Sequence, residues 1–395
     1  MRRTNLPGLL WLLVVVVFTG CAADPVEDEM ISFPKPGALS STFTEGPHII
    51  YRDEAALILS AVEHDGEMTL ISKHINRSDL ISIRVDKSGY LPRSFEVPLK
   101  AGLNTEATFY PAADSIFAVS DIEGNFNTLT NLLQQHGVID EDLNWSFGQG
   151  HFVLVGDVFD RGNHVTEMLW LLYRLEAQAL EAGGYVHYLM GNHDAMNMRD
   201  DLRYVEPKYL DFAELTVEQH GVSYSDLFGE DSELGRWLRT KNVTEMIGDK
   251  LFVHAGISPD IVDGGYTPEA INEHARSSMS TPKPEFSSRD SLLWGKMGPF
   301  WYRGYFDVNR ESWGPKATQT DVDRILGQLE ASLVIVGHTH VIQPELLYGA
   351  KVLAIDVKQP ADHITTIPPW PAYGVLIRGS HYFMADENGG LTEMQ

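Results

Sequence analysis

The sequence predicts a mixed α/β protein: a large α/β domain preceded by a small all-β, sandwich-like domain. Two patterns in the chain carry this expectation. From Ser115 onward, continuous apolar runs (SIFAVSD, HFVLVGD, KLFVHAG, SLVIVGHTH, KVLAIDV) alternate with helical patterns such as NFNTLTNLLQQHGVI. Runs without polar alternation suit strands buried on both faces, and strand–helix–strand order suggests βαβ units. Between His48 and Tyr110, by contrast, short apolar runs (HIIY, AALILSAV, MTLIS, LISIRV, SFEVPL, TEATFY) are broken by turn residues such as His64-Asp65-Gly66 and Lys87-Ser88-Gly89. That spacing suggests a small β-sandwich. The 395 residues are 43% hydrophobic and 22% charged, an ordinary globular balance that excludes disorder, collagen and coiled coil.

The N-terminus reads as a targeting segment over residues 1–20. Arg2 and Arg3 precede Leu9 to Phe18, ten apolar residues without a charge. A bilayer-spanning helix needs ~20 such residues, so a basic start, a short apolar run and then small residues describe a secretory signal instead. The run ends Phe18-Thr19-Gly20-Cys21, and Cys21 is the only cysteine. This resembles the lipobox of bacterial lipoproteins, with Phe18 where leucine is usual. The resemblance implies that Cys21 carries a lipid, and that the protein is exported and membrane-anchored on the periplasmic or outer-membrane side. A plain signal peptide with a chance cysteine is the alternative. With one cysteine, no intrachain disulfide and no multi-thiolate zinc site can form.

Residues 21–46 are rich in Pro, Ser, Thr, Gly and acids, and read as a tether. The β domain is expected over 47–111, with no chemical constellation of its own, and the α/β domain over 112–395. The 55 acidic and 30 basic residues give a formal net charge of −25, which argues against a surface for nucleic-acid phosphates. The lipid, not the protein surface, would hold the chain to a membrane, and no protein partner is predicted.

Five of the apolar runs end in metal-capable residues: Asp121, Asp157, Asn192-His193-Asp194, His254 and His338-Thr339-His340. A lone histidine or aspartate at a strand end is usually structural. Five such endings in one α/β segment are the signal expected of a metal site at the carboxyl ends of the strands. The segments are Ser120-Asp121-Ile122-Glu123-Gly124-Asn125, Gly156-Asp157-Val158-Phe159-Asp160-Arg161-Gly162, Gly191-Asn192-His193-Asp194, Val253-His254-Ala255-Gly256 and Gly337-His338-Thr339-His340. In this order they resemble the calcineurin-like metallophosphoesterase superfamily. Asp-Arg-Gly in the second segment is most similar to its phosphoprotein-phosphatase branch, including the bacterial Shewanella-like group.

The resemblance implies a calcineurin-like α/β–β sandwich catalytic domain and two divalent or mixed-valence metal ions, Mn, Fe or Zn. Asp157 would bridge them. One metal would take Asp121, Asp157 and His340, with Glu123 as a further candidate; the other would take Asp157, Asn192, His254 and His338. Metal-bound hydroxide would attack phosphorus, and His193, supported by Asp160, would protonate the leaving group. Arg161 would clamp phosphoryl oxygens. Arg303, in an aromatic stretch Gly298–Tyr305, is the candidate second clamp; stacking on Trp301 or Tyr305 is its alternative role.

The chain departs from the family pattern by placing Glu123 where the first motif has histidine, and by keeping His340, which the phosphoprotein-phosphatase branch generally lacks. Residues two apart on a strand face the same way, so Glu123 is expected to point at the same metal as Asp121 if extended geometry persists. Pointing to solvent is the alternative. Asp194 replaces the glutamate common after Asn-His. The expected activity is phosphomonoester hydrolysis by a membrane-tethered enzyme. A phosphodiesterase or nucleotide hydrolase, and a binding lipoprotein that has lost catalysis through Glu123, stay open.

Overall fold

The computed structural model describes residues 44–64, 66–86, 93–358 and 371–395, so the signal segment, Cys21 and most of the tether lie outside the described residues. Strands β1 (Thr44–Arg52), β2 (Ala55–His64) and β3 (Glu67–Asn76) form a three-stranded antiparallel sheet, and β4 (Ser82–Val85) and β5 (Phe95–Pro98) a two-stranded antiparallel ribbon. The expected N-terminal antiparallel β region is therefore present, and its core is shared with the rest of the chain. Its inward residues Ile49, Leu57, Leu59, Val85, Phe95 and Val97 join one apolar cluster with Trp170, Phe212 and Trp237. The physical reason is area: five strands in two small sheets leave too little apolar surface for a separate core, and burial against helices supplies the rest.

The helices that follow are α1 (Phe126–Gln135), α2 (Val165–Glu181), α3 (Asn192–Met198), α4 (Pro207–His220), α5 (Tyr224–Leu227) and α6 (Glu233–Leu238), of which α2, α4, α5 and α6 pack on these strands. Helix α2 is buried along most of its length and packs on both β1 and β5. Polar ties fix the seam. Trp170 Nε1 donates to the Pro47 carbonyl at 2.8 Å, and Thr166 and Lys208 both reach the buried Glu45 carboxylate.

Strand β6 (Phe109–Tyr110) pairs in parallel with β10 (Thr244–Ile247), so the chain enters the second half of the fold there. Two six-stranded sheets follow. One contains β7 (Ile116–Val119), β8 (His151–Leu154), β9 (Tyr185–Tyr188), β15 (Tyr373–Arg378), β16 (His381–Asp386) and β17 (Leu391–Glu393), in the order β17-β16-β15-β7-β8-β9. The other adds β11 (Lys250–Val253), β12 (Leu333–Val336), β13 (Glu345–Leu347) and β14 (Val352–Ala354) to β6 and β10, in the order β13-β14-β12-β11-β10-β6.

Between the sheets lies a cluster of Ile116, Ala118, Val153, Phe252, Ile335, Leu353 and Val375. Separate clusters cover the outer faces. Strands such as IFAV and LVIV are buried at every residue, as their unbroken apolar runs require. Among the described residues no helix is long and apolar enough to cross a membrane. The parallel pairs β7–β8–β9 and β11–β12–β14 each point their carboxyl ends the same way, and the predicted site residues follow those ends.

Candidate metal centre and active site

One half of the site is built around Asp157, in the turn after β8. His254, following β11, places Nε2 3.2 Å from Asp157 Oδ2 and 2.9 Å from Asn192 Oδ1. Its Nδ1 lies 2.8 Å from the Val155 carbonyl. A carbonyl only accepts, so Nδ1 carries a proton; burial alone would push the imidazole down, but Asp157 and Asp121 raise it to about 10, and a cation taking the place of the Nε2 proton would leave Nε2 as the ligand atom. Asp157, His254 and His338 offer ligand atoms within 4.8 Å of one another. His338 Nε2 is buried with no hydrogen-bond partner in the structure. Burial, with Arg303 nearby, pushes the His338 imidazole well down, so it stands neutral, the form that ligates. Burial alone would push the Asp157 carboxyl up, but His254 and His193 beside it hold it far below the usual range.

The other half is richer in carboxylates. Asp121 Oδ2 accepts from the His338 backbone N–H at 3.0 Å, which joins the first motif to the fifth. Burial and the adjacent Asp356 push the Asp121 carboxyl well up. His340 Nδ1 lies 3.0 Å from Asp356 Oδ1, and its ring is 57% exposed. Glu123 is not held in line with Asp121 as strand geometry would have it: φ is 51° at Asp121 and 48° at Glu123, so extended backbone ends there. Nor does Glu123 point to solvent. Its carboxylate is 13% exposed and pairs with the Arg161 guanidinium. It also lies within 4.8 Å of ligand atoms of Asp157 and His193.

These donors fit divalent cations. Carboxylate and carboxamide oxygens mix with imidazole nitrogens, and the buried His338 Nε2 and Asp356 Oδ2 have no hydrogen-bond partner in the structure. Asp157, Asn192, His254 and His338 would hold one ion. For a second ion the structure groups Glu123 with Asp157 and His193; Asp121 and His340 are not in that group.

His193 is the first turn of α3, next to Asn192. Its Nδ1 is 2.5 Å from Asp160 Oδ2, and its backbone N–H donates to Asp157 Oδ1 at 2.9 Å. Burial alone would push the His193 imidazole down, but Asp157 and Asp160 raise it, favouring the protonated form an acid needs. Asn197 Nδ2 donates to Asp160 Oδ1 at 2.7 Å, and Tyr224 donates to Asn197 Oδ1 at 2.6 Å, so the orienting carboxylate is itself held. Arg161 lies against Tyr204, whose ring also sits 5.1 Å from that of His193. Arg303 Nη1 donates to Thr339 Oγ1 at 3.3 Å, and its guanidinium stacks on Trp313, not on Trp301 or Tyr305.

The loops that carry these groups are strained. Six of the twelve non-glycine residues with positive φ among the described residues are Asp121, Glu123, Asp157, Asp160, Arg161 and His338. Such backbone persists only where the surroundings enforce it. Asp194 is one enforcer: fully buried, it accepts from the backbone N–H groups of Asp157, Val158, Phe159 and Gly191. Gly191 is another, since a Cβ there would stand 2.0 Å from Asp157 Oδ1.

Asp121, Glu123, Asp157, Asp160, Arg161 and His338 are sequence candidates found in these loops, Arg303 lies elsewhere and Cys21 lies outside the described residues; the sequence does not single out Asp356, Asn197 or Tyr204. Asp356 had a readable signal, an acid closing the buried run KVLAID; the other two had none.

Comparison with known proteins agrees with this geometry. Residues 115–342 match the calcineurin-like phosphoesterase family. The crystal structure of a cold-active protein-tyrosine phosphatase from a psychrophilic Shewanella species superimposes with a TM-score of 0.76 at 30% identity, covering 90% of this chain and 100% of that one. An uncharacterized protein of Schizosaccharomyces pombe is 30% identical over 249 residues, 60% of this chain and 70% of its own length. Shewanella-like protein phosphatase 2 of Arabidopsis thaliana is 27% identical over 207 residues, 43% of this chain and 52% of its own. Shewanella-like protein phosphatase 1 of Plasmodium berghei is 26% identical over 245 residues, 60% and 63% respectively. The chain thus spans only about half to two thirds of those two phosphatases. By its family match, its homologues and the geometry of its five motifs, this chain belongs to the calcineurin-like phosphoesterases.

Proposed function

We propose that the chain is a two-metal phosphomonoesterase. The observation that carries the reading is the arrangement of His193: it is clamped to Asp160, it adjoins the ligand candidate Asn192, and Arg161 stands beside it. Two divalent ions would supply a deprotonated water near neutral pH and neutralise charge on the phosphoryl group. The protein's own residues do the rest. His193 delivers a proton to the departing oxygen from Nε2, because Asp160 occupies Nδ1. Asp160 keeps the ring oriented and stabilises its charged form. Arg161, beside Glu123, and Arg303, beside Thr339, would grip the non-bridging oxygens. A monoester has three such oxygens and a diester two, so two arginines favour the monoester. The protein-tyrosine phosphatase named above makes aryl phosphates the first substrates to try.

Initial rates on p-nitrophenyl phosphate, phosphotyrosine, phosphoserine and bis-p-nitrophenyl phosphate, each with Mn, Fe, Zn or Mg, test the reading. Monoesters should turn over at least ~10-fold faster than the diester, and a diester preference would reject it. We further propose that Cys21 carries a lipid. Cys21→Ser should leave the protein in the aqueous phase of a detergent partition or its precursor uncleaved, and identical mass and partitioning of mutant and wild type would reject the anchor.

A further inference from the structure

The first motif of this chain lacks its histidine, and the structure shows what stands behind the one imidazole left on that side. Asp356 follows β14, next to β12 in the sheet, and is fully buried. It meets the fifth-motif loop twice. Its backbone carbonyl accepts from the Val341 N–H at 2.9 Å, and its Oδ1 faces His340 Nδ1 at 3.0 Å. With a carboxylate oxygen as the acceptor at Nδ1, the other ring nitrogen of His340, Nε2, is left to meet a cation. Asp356 Oδ2 is buried without a hydrogen-bond partner, and Asp121 lies close beside it. A buried carboxylate oxygen without a donor is costly, and a cation close by would satisfy it. A bond that only stitched loop to strand would be served by the backbone contact and would not require a buried charge.

We propose that Asp356 is the positioning residue of the first metal: it fixes the tautomer and orientation of His340, which supplies the imidazole that Glu123 has displaced from the first motif. The inference rests on the two-metal reading above. Carboxylate partners of ligating histidines typically change metal affinity by ~10–100-fold.

The test is Mn²⁺ binding to the purified full chain, read as equivalents per chain and dissociation constants, for wild type, Asp356→Asn, His340→Ala, and each of these combined with Glu123→His. Asp356→Asn should weaken one of the two Mn²⁺ ions ~10–100-fold and leave the other unchanged, with the thermal unfolding transition still cooperative. Glu123→His should restore the weakened ion in both backgrounds, because it returns an imidazole to the first motif. If Asp356→Asn does not fold, the pair His340→Ala and Glu123→His with His340→Ala carries the same comparison. Wild-type affinity for both ions in Asp356→Asn, or no recovery with Glu123→His, overturns the assignment. A wild type that binds fewer than two ions overturns instead the two-metal reading on which it rests.

Discussion

The two halves of the proposed metal centre offer a cation different surroundings. Around His254 the ligands are imidazole-rich and already fixed: His254 is tied to the Val155 carbonyl, and Asp157 is surrounded by histidines. Around Asp121 the groups are mainly carboxylates, the one imidazole is more than half exposed, and Glu123 is engaged by Arg161. A site whose ligands are rigid before binding loses little freedom on binding, whereas a carboxylate cluster depends on the cation to relieve its repulsion. The two ions are therefore expected to bind unequally, the tighter one at His254. Two of the three departures from the family pattern read in the sequence, Glu123 for histidine and the retained His340, lie in the half expected to bind more weakly.

That contrast can be broken most sharply at His254. His254→Ala should remove one metal equivalent and lower kcat with p-nitrophenyl phosphate by ~10³-fold or more, since metal ions contribute several kcal/mol of transition-state charge stabilisation. Retention of both ions would show that this half is not the anchor. His193→Ala comes next. It should keep both ions yet lose ~10²–10⁴ in turnover of an alkyl phosphate, the usual range for a general acid. The loss should shrink for p-nitrophenolate, which departs without a proton. Disappearance of one ion would make His193 a ligand instead.

Glu123→Gln should act more gently, dropping affinity for the Asp121-side ion ~10-fold while sparing the other. Unchanged metal content together with unchanged activity would reduce Glu123 to a partner of Arg161. The smallest effect is expected far from the site, at the amino end of β8. Burial, with His187 alongside, pushes the His151 imidazole down to about 4. An unfolded histidine titrates near ~6.5, so the unfolded chain binds the extra proton first. Stability from this group is complete above that pH and declines as pH falls from ~6.5 toward 4. His151→Gln should flatten the unfolding temperature over that window, and an unchanged slope would contradict the assignment.

Much of the site was legible because the chemistry sits where buried strands stop. A run such as HFVLVGD announces both a two-face-buried strand and the residue at its carboxyl end, so Asp121, Asp157, Asn192, His254 and His338 could be read off directly. Glu123 could not be placed, because its direction depends on two left-handed backbone positions that no local pattern encodes. Asn197 and Tyr204 were silent for a similar reason: each matters only through a neighbour brought close by tertiary packing. The N-terminal strands were legible as strands, but their alternation says only that one face is buried, not against what. The structure answers with α2 and α6. Phe109-Tyr110 likewise read as the end of the β region and instead pairs with β10, since two residues carry no signal of which sheet they will join.

The most direct test of the account is the number and affinity of Mn²⁺ ions bound by the purified wild-type chain, measured by titration with elemental analysis. Two equivalents of unequal affinity are predicted, the tighter one lost in His254→Ala. A single equivalent, or two equal ones that survive His254→Ala, would contradict it.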